Sequence, residues 1–169
     1  RMVAVSGHVK RPGVYEIING STTFRDIIYG DEFSQGIRDD NDLKAFVPGG
    51  GSAPWFVEDQ LDIPFEGKQA GAAGSMLGSG AIMVMDSTTN IPKAAYTLTK
   101  FYAHESCGKC TPCREGGTWL MRMLERVVAG HGTDADLDQM REVGQTICPG
   151  EMPHASSERL GLEARPFPY

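Results

Sequence analysis

The stretch "MVAVSGHVKRPGVYEI" at residues 2–17 decides the fold of the first part of the chain. It contains two short strand-like segments, "MVAVSG" and "GVYEI", on either side of a turn that includes Pro12 and Gly13. Proline fixes φ and glycine accepts positive φ, so this pair suits a tight reversal of the backbone. We therefore expect an antiparallel hairpin that begins a small sheet.

The segments after the hairpin add a short helix and further strands. Phe24, Ile27 and Ile28 fall on one face of a predicted helix, which Ser21 or Thr22 can cap. "LKAFV" and "QLDIPF" are predicted as additional short strands, separated by "PGGGSAPW". This order of elements predicts a β-grasp domain over residues 1–66, a ubiquitin-like sheet wrapped on one helix. The fold class of the whole chain is therefore predicted as α+β.

Residues 67–86 are predicted to be a glycine-rich connector followed by the strand "AIMVMD" at 81–86. The piece "GSMLGSG" invites comparison with a dinucleotide-binding loop. That fingerprint needs a strand, then glycines, then a helix, whereas these glycines precede a strand. We therefore expect no nucleotide to bind at this piece alone.

Residues 87–169 are predicted to form a helical domain. Asn90 with Pro92 marks the start of a first helix, and Thr133 can cap a third. Apolar residues recur at helical spacing in three stripes, which we interpret as core: Ile91, Ala94, Ala95, Leu98, Phe101 and Tyr102; Leu120, Met123, Leu124, Val127 and Val128; and Leu137, Met140 and Val143.

The composition of the chain restricts its partners. The 169 residues carry a formal charge of −6 and are 40% hydrophobic. Because no basic run is present, we expect neither nucleic acid nor an anionic membrane surface as a partner. No apolar run reaches the length of a transmembrane helix. The chain starts without a signal peptide in a strand-like stretch and stops at "ARPFPY", so we expect a fragment of a longer polypeptide.

Four cysteines are grouped as three plus one. Cys107, Cys110 and Cys113 lie in "ESCGKCTPCREGG" at residues 105–117, and Cys148 stands alone. Nothing else marks the chain as secreted, so disulfides are not expected. Zinc also takes four thiolates, but structural zinc usually uses two separated pairs. Three thiolates from one loop suit three corners of a cubane, so the grouping favours a [4Fe–4S] cluster and leaves zinc as the alternative.

The residues between these cysteines suit an anionic cluster. Gly108 permits a tight turn that brings N–H groups toward sulfur, and Thr111 can cap a helix in which Pro112 is the first residue. Cys113 then lies in the first turn, where the positive end of the helix dipole would face the cluster.

Three charged or titratable side chains surround the cysteines. Lys109 and Arg114 would help to offset the charge of a cluster, or would be ordinary surface residues. His104 could in principle bind iron, but four cysteines already supply four ligands. We therefore interpret His104 as a surface or packing residue.

Three stretches together resemble a known family. "FYAHESCGKCTPCREG" resembles the cluster loop of the flavin-containing, NADH-oxidising subunit of respiratory NADH–quinone oxidoreductase (complex I). "VSGHVKRPGVYEI" resembles the start of the β-grasp domain of that subunit, which is of the soluble-ligand-binding type. "GSMLGSGAIMVMD" resembles the segment before its helical domain. The resemblance covers residues 3–148 almost continuously.

The resemblance implies an electron-transfer role. Family members transfer hydride from NADH to FMN in an N-terminal domain whose glycine-rich loop is absent from this sequence. Single electrons then pass through one [4Fe–4S] cluster, for which the resemblance implies Cys107, Cys110, Cys113 and Cys148 as ligands. It implies no catalytic residue in this chain. The implied partners are a neighbouring large iron–sulfur subunit and a small [2Fe–2S] subunit, on the cytoplasmic side of a bacterial membrane or the matrix side in mitochondria.

The sequence departs from the family pattern near Cys148. The 34 residues between Cys113 and Cys148 are somewhat fewer than the family usually has. Residues 149–152 read "PGEM", where the family tends toward Ala-Leu-Gly-Asp. Diaphorase subunits of NAD-linked hydrogenases and formate dehydrogenases share the same domains and stay as alternatives. A small-molecule-binding module is less favoured, because residues 1–66 hold no convergent polar or aromatic set.

Overall fold

The computed structural model of the protein describes residues 1–147, and the chain divides into two compact units. The first unit is Arg1–Thr89, and the second begins at Asn90. The first is a mixed α/β unit built on a four-stranded sheet, and the second is helical within the described residues.

The sheet of the first unit contains β1 (Met2–Gly7), β2 (Gly13–Glu16), β3 (Leu43–Val47) and β4 (Ala81–Asp86). Its strand order is β2-β1-β4-β3. β1 is antiparallel to β2 and parallel to β4, and β4 is antiparallel to β3. The predicted hairpin is confirmed, because Val3 pairs with Tyr15 across the turn that contains Pro12 and Gly13.

The helix α1 (Phe24–Tyr29) supplies much of the core under this sheet. Phe24, Ile27 and Ile28 are its buried residues, as predicted from their spacing. The predicted cap was wrong by one or two positions, since the cap is Thr23. The Thr23 hydroxyl accepts a hydrogen bond from the Asp26 N–H at 3.1 Å, and the Asp26 carboxylate accepts one from the Thr23 N–H at 2.9 Å. This reciprocal pair outcompetes Ser21 and Thr22 as caps.

Four phenylalanines form the centre of the first core. The ring of Phe24 lies 5.2 Å from that of Phe46, 5.8 Å from that of Phe56 and 5.4 Å from that of Phe65, between centroids. All four side chains are buried. Tilted and edge-on ring contacts at these distances favour aromatic packing beyond simple burial.

The segment "QLDIPF" is not a strand, contrary to the prediction. A single 3₁₀ turn at Glu58–Gln60 ends on its first residue, and the Leu61 and Phe65 side chains are fully buried. Its carbonyl groups bond the start of α1 instead of a neighbouring strand, because the Arg25 N–H donates to the Leu61 oxygen at 2.7 Å. Alternating apolar residues predict the buried face correctly but not the hydrogen-bonding partner.

Residues 67–86 are part of the first unit and not a connector, which corrects the predicted division of the chain. They form α2 (Gly67–Ala72), with Ala70 buried, and then β4 in the interior of the sheet. Gly78 permits close backbone packing, since a Cβ on it would overlap the backbone carbonyl of Gly49. Glycine in this loop therefore reflects close approach of two loops and not a flexible link.

The second unit contains α3 (Ile91–Glu105), α4 (Thr111–Val128) and α5 (Asp134–Ile147). The predicted starts of α3 and α5 are confirmed. The Asn90 side chain accepts from the Lys93 N–H at 3.0 Å, and the Thr133 hydroxyl accepts from the Asp136 N–H at 3.2 Å. The described part of the chain holds no helix that is both long and apolar enough to cross a membrane.

The core of the second unit lies between α4 and α5. Its buried residues are Leu120, Met123, Leu124, Met140 and Val143. The prediction that all three apolar stripes are core was wrong in part. Within residues 1–147, α3 has no fully buried side chain, and Phe101 is 56% and Leu137 is 44% exposed. The reason is that α3 packs against α4 and α4 packs against α5, so the outer sides of α3 and α5 stay uncovered here.

Candidate metal centre

The loop from Ser106 to Cys110, between α3 and α4, brings three predicted ligands into one short region. Cys107 and Cys110 lie on this loop, and Cys113 lies in the first turn of α4, as predicted. All three are exposed and none forms a disulfide. Gly108 has a φ of +71°, a conformation that favours glycine and allows the chain to turn between the first two cysteines.

The start of α4 differs by one residue from the prediction. Cys110 is the residue that caps the helix, and Thr111 and Pro112 are its first two positions. The Arg114 N–H donates to the Cys110 carbonyl at 2.9 Å and so closes the first turn. Proline is well accommodated here because the first N–H groups of a helix have no intrahelical acceptor. The positive end of α4 therefore lies among the cysteines.

Two residues hold this loop in place, and sequence reasoning missed one of them entirely. The Gly108 N–H donates to the Ser106 hydroxyl at 3.3 Å, and the same hydroxyl lies 3.6 Å from the Cys113 sulfur. Arg114 Nη1 donates to the Gly108 carbonyl at 2.8 Å. A hydroxyl directly before Cys107 was the sequence signal for Ser106. Arg114 was predicted only as a source of positive charge, whereas its side chain also donates a hydrogen bond to the backbone of the loop.

The remaining charged groups near the loop are exposed. Arg114 Nε lies 2.9 Å from Glu115 Oε1, and an exposed pair of this kind contributes little to stability. His104 is exposed and its Nδ1 lies 2.9 Å from Glu105 Oε1, so its interpretation as a surface residue is confirmed. Lys109 is also exposed.

The donor set suits a thiophilic metal group. Three thiols within seven residues, next to a helix N-terminus, are the soft ligands that iron–sulfur clusters and zinc select. Across residues 1–147, no three or more histidine, cysteine, aspartate or glutamate side chains are already assembled for a metal ion. Ligation would therefore have to draw the loop sulfurs together. The fourth predicted ligand, Cys148, lies outside the described residues.

A separate cluster of charged groups surrounds Asp86 in the first unit. Its fully buried carboxylate lies 2.8 Å from His8 Nδ1 and 3.3 Å from Arg38 Nε. It also accepts hydrogen bonds from the Asn41 amide at 3.2 Å and the Thr88 hydroxyl at 2.6 Å. Burial raises the pKa of Asp86, but hydrogen bonds from Thr88, His8, Asn41 and Arg38 outweigh it and hold the pKa well below the usual range. These contacts of the Asp86 carboxylate hold the end of β4 in place.

Comparison with known families points to the same region of the chain. Residues 93–152 match the family described as the NADH-ubiquinone oxidoreductase-F iron-sulfur binding region. This match contains all four cysteines. It supports a [4Fe–4S] cluster as the cofactor of this region.

Similar curated proteins are named as the F subunit of NADH-quinone oxidoreductase. The one from Streptomyces coelicolor is 44% identical over 146 residues, which is 86% of this chain and 32% of the relative. Those from Mycobacterium tuberculosis and Rhizobium meliloti (the F subunit numbered 2) are 42% and 39% identical and are matched over 32% and 36% of their lengths. The chain thus spans about a third of the length of these relatives.

Solved structures with the same fold include the NAD⁺-reducing [NiFe]-hydrogenase. This chain matches a chain of the H₂-reduced enzyme with a TM-score of 0.73 and 26% sequence identity. The match covers 86% of this chain and 24% of the hydrogenase chain. In its air-oxidised state the TM-score is 0.69 at 27% identity. Residues 93–152 are therefore similar to the iron–sulfur binding region of the NADH-ubiquinone oxidoreductase-F family, and most of the chain is similar to about a third of the F subunit of NADH-quinone oxidoreductase.

Proposed function

We propose that this chain is the electron-transfer portion of the NADH-oxidising flavin subunit of an NADH–quinone oxidoreductase. One observation carries the proposal: three free, exposed cysteines lie on the loop before α4 and in the first turn of that helix, within the residues that match the iron–sulfur binding family. The names of the relatives supply the enzyme class. In this role the chain passes single electrons from FMN to the next iron–sulfur subunit.

Cys107, Cys110, Cys113 and Cys148 are the proposed ligands of one [4Fe–4S] cluster. Such a cluster supplies a site that gains and loses one electron. The protein contributes the four thiolates, the positive end of α4 and the nearby cations Lys109 and Arg114, which together favour binding of an anionic group. FMN and NAD(H) are proposed to be bound mainly by residues outside this sequence.

The first unit is proposed to be a β-grasp domain that packs and spaces its neighbours. The support is its strand order, in which the parallel strands β1 and β4 are central and α1 follows the hairpin of β1 and β2. The buried polar groups of this unit serve the fold, as the Asp86 cluster does. We assign this unit no ligand and no catalytic group.

The proposed setting is a multi-subunit complex at the cytoplasmic or matrix face of a membrane. A chain that only carries electrons needs a donor and an acceptor on other polypeptides or domains. The proposed neighbours are a large iron–sulfur subunit as acceptor and a small [2Fe–2S] subunit.

A diaphorase subunit of an NAD-linked hydrogenase is the second candidate. The fold likeness to the NAD⁺-reducing [NiFe]-hydrogenase favours it, but the sequence identity of 26% is well below the 44% shared with the Streptomyces coelicolor relative. A zinc scaffold is a third and weaker candidate. It would account for the cysteine thiolates but not for the similarity to an iron–sulfur binding family. The two redox candidates differ in the subunits that bind this chain.

The test uses the complete protein that carries this chain, isolated anaerobically with its bound subunits. We expect NADH to produce an EPR signal of a reduced [4Fe–4S] cluster, and Cys113→Ser to abolish or alter that signal. Thr97→Ala, which removes a hydroxyl bonded to the Lys93 carbonyl within α3, is the matched control and should leave it unchanged. Zinc without iron in the isolated protein would overturn the proposal. Co-isolation with a hydrogenase large subunit would favour the second candidate.

A further inference from the structure

We propose that Ser106 is a positioning residue that donates a hydrogen bond to the Cys113 thiolate and thereby raises the reduction potential of the cluster. This inference rests on the proposed function, since it requires Cys113 to be a cluster ligand. It adds a residue outside the four cysteines to the group that determines the properties of the site.

The direction of the hydrogen bond follows from the partners of Ser106. A serine hydroxyl has one hydrogen to donate and two lone pairs to accept. One lone pair is used by the Gly108 N–H, which donates to Ser106 Oγ at 3.3 Å. The Cys113 sulfur lies 3.6 Å from the same oxygen, a hydrogen-bonding distance for an atom as large as sulfur. A ligating thiolate has no hydrogen, so Ser106 has to be the donor of this bond.

The backbone around Ser106 fixes the hydroxyl in this place. Ser106 is the residue at the C-terminal end of α3, so its Cα is anchored to a helix. Gly108 turns with a φ of +71° and directs its N–H back to Ser106. Arg114, one residue after Cys113, donates to the Gly108 carbonyl at 2.8 Å. The end of α3, the turn and the first turn of α4 therefore form one hydrogen-bonded assembly.

The electrostatic consequence depends on the oxidation state of the cluster. Reduction adds one electron from the upstream donor and increases the negative charge shared by the sulfur ligands, while Ser106 keeps its proton. A hydrogen bond to an anionic acceptor strengthens with the charge of that acceptor. The bond from Ser106 therefore stabilises the reduced cluster more than the oxidised one, and hydrogen bonds to cluster sulfurs are a known determinant of potential.

The test compares Ser106→Ala, Ser106→Thr and the control Thr97→Ala in the complete protein with its cluster. Iron content, helical circular dichroism, the EPR spectrum and the midpoint potential are measured for each. We expect Ser106→Ala to keep its iron and helices but to have a lower midpoint potential. The decrease should be up to about 59 mV, which corresponds to a tenfold change in the equilibrium constant for one-electron reduction. Ser106→Thr restores the hydroxyl and should restore the wild-type potential. Thr97→Ala should not differ from wild type.

The outcomes separate this inference from the proposed function. Wild-type protein without iron would overturn both. Wild-type iron with an unchanged potential and EPR spectrum in Ser106→Ala would overturn the role of Ser106 alone. If Ser106→Ala loses iron, recovery of both iron and potential in Ser106→Thr supports the hydroxyl bond. Failure of Ser106→Thr to recover them contradicts it.

Discussion

Single side chains decide whether the loop before α4 can hold a four-iron group. Cys107 and Cys110 on this loop and Cys113 in the first turn of α4 are three proposed ligands, and the proposal needs a fourth from Cys148. Each ligand matters because a cluster with an open corner loses iron or exchanges it with solvent. The hydroxyl of Ser106 and the guanidinium of Arg114 act on the same loop through Gly108 and Cys113.

Replacing Cys148 with serine tests the fourth ligand. We expect the Cys148→Ser protein to release one iron or to lose the cluster, because serine is a poor ligand for iron–sulfur clusters. We also expect its thermal stability to fall, since cluster binding and folding are linked. Iron analysis, EPR and thermal unfolding are measured together, with Cys113→Ser as the comparison. Four irons per chain with an unchanged EPR signal and stability would show that Cys148 is not a ligand.

Replacing Asp86 tests the buried carboxylate of the first unit. Asp86→Asn leaves Arg38 and His8 beside a neutral group, and we expect the free energy of unfolding to fall by about 2–3 kcal/mol at neutral pH. Because the folded-state pKa of Asp86 is lowered, its ionised carboxylate stabilises the folded protein at pH values above the pKa of an ordinary aspartate. This stabilisation is lost as pH falls below about 4. Denaturant unfolding at several pH values measures the effect.

Asp62 is the matched control for Asp86. It also pairs with an arginine, Arg25, at 2.6 Å, but the pair is largely exposed. Arg25 lowers the pKa of Asp62 through a hydrogen bond, yet screening by water leaves such a pair of little value. Asp62→Asn should therefore change stability much less than Asp86→Asn. Equal effects from the two substitutions would contradict the structural role of Asp86.

Helices and strands were predicted well where the sequence repeats a clear period. The four strands β1 to β4 and the helices α1, α3, α4 and α5 lie where apolar spacing and cap residues placed them. Caps were less predictable, because Thr23 and Cys110 replace neighbouring hydroxyl residues that look equally suitable in sequence. The choice between such neighbours depends on side-chain geometry that spacing does not encode.

The packing of α4 against α5 depends on a glycine. A Cβ on Gly116 would lie 3.0 Å from Ile147 Cδ1 and 3.1 Å from Val143 Cγ1, closer than ordinary contact. We expect Gly116→Val to lower the free energy of unfolding by about 1–3 kcal/mol through overpacking. Thermal or denaturant unfolding of the second unit measures this change.

Gly117 provides the control at the next position of α4. A Cβ there would meet Ala103 only at 3.7–3.8 Å, which is ordinary contact. Gly117→Ala should therefore stabilise the helix by about 0.5–1 kcal/mol, the usual difference in helix propensity. If Gly116→Val is as stable as wild type, the close contact between α4 and α5 is not present in solution.

The organisation into two units was only partly visible in the sequence. Residues 67–86 looked like a connector because glycine and alanine are common in flexible segments, but their glycines permit close backbone contact and lead into an interior strand. Similarly, α3 looked like a core helix because of its apolar stripe, yet Phe101 is largely exposed. Which surfaces meet is a tertiary property that periodicity does not determine.

The candidate site was predicted more fully than the packing. Cysteine spacing singled out Cys107, Cys110 and Cys113, and their exposure and their placement around the start of α4 suit the predicted role. Ser106 could not be ranked from sequence, because its proposed role depends on the turn at Gly108, which keeps its hydroxyl beside Cys113. Local motifs thus indicate candidate ligands but not the hydroxyl that the turn places beside them.

The two units should respond differently to loss of the metal group. The first unit has its own aromatic core, whereas the second contains the proposed ligands. We expect chelation of iron to raise hydrogen–deuterium exchange in residues 90–147 and to leave the exchange of residues 1–89 unchanged. Exchange followed by mass spectrometry measures both units in one sample. Equal loss of protection from exchange in the two units would contradict the division of the chain into two separately stabilised units.

The most direct test of the central claim is metal and sulfide analysis of the anaerobically isolated protein, combined with EPR of its reduced form. If Cys107, Cys110, Cys113 and Cys148 hold one [4Fe–4S] cluster, this region should contribute about four irons and four acid-labile sulfides per chain. Reduction should then give the EPR signal of a one-electron-reduced cluster, and that signal should disappear or change in Cys110→Ser. One zinc per chain, no labile sulfide and no EPR signal would contradict the account.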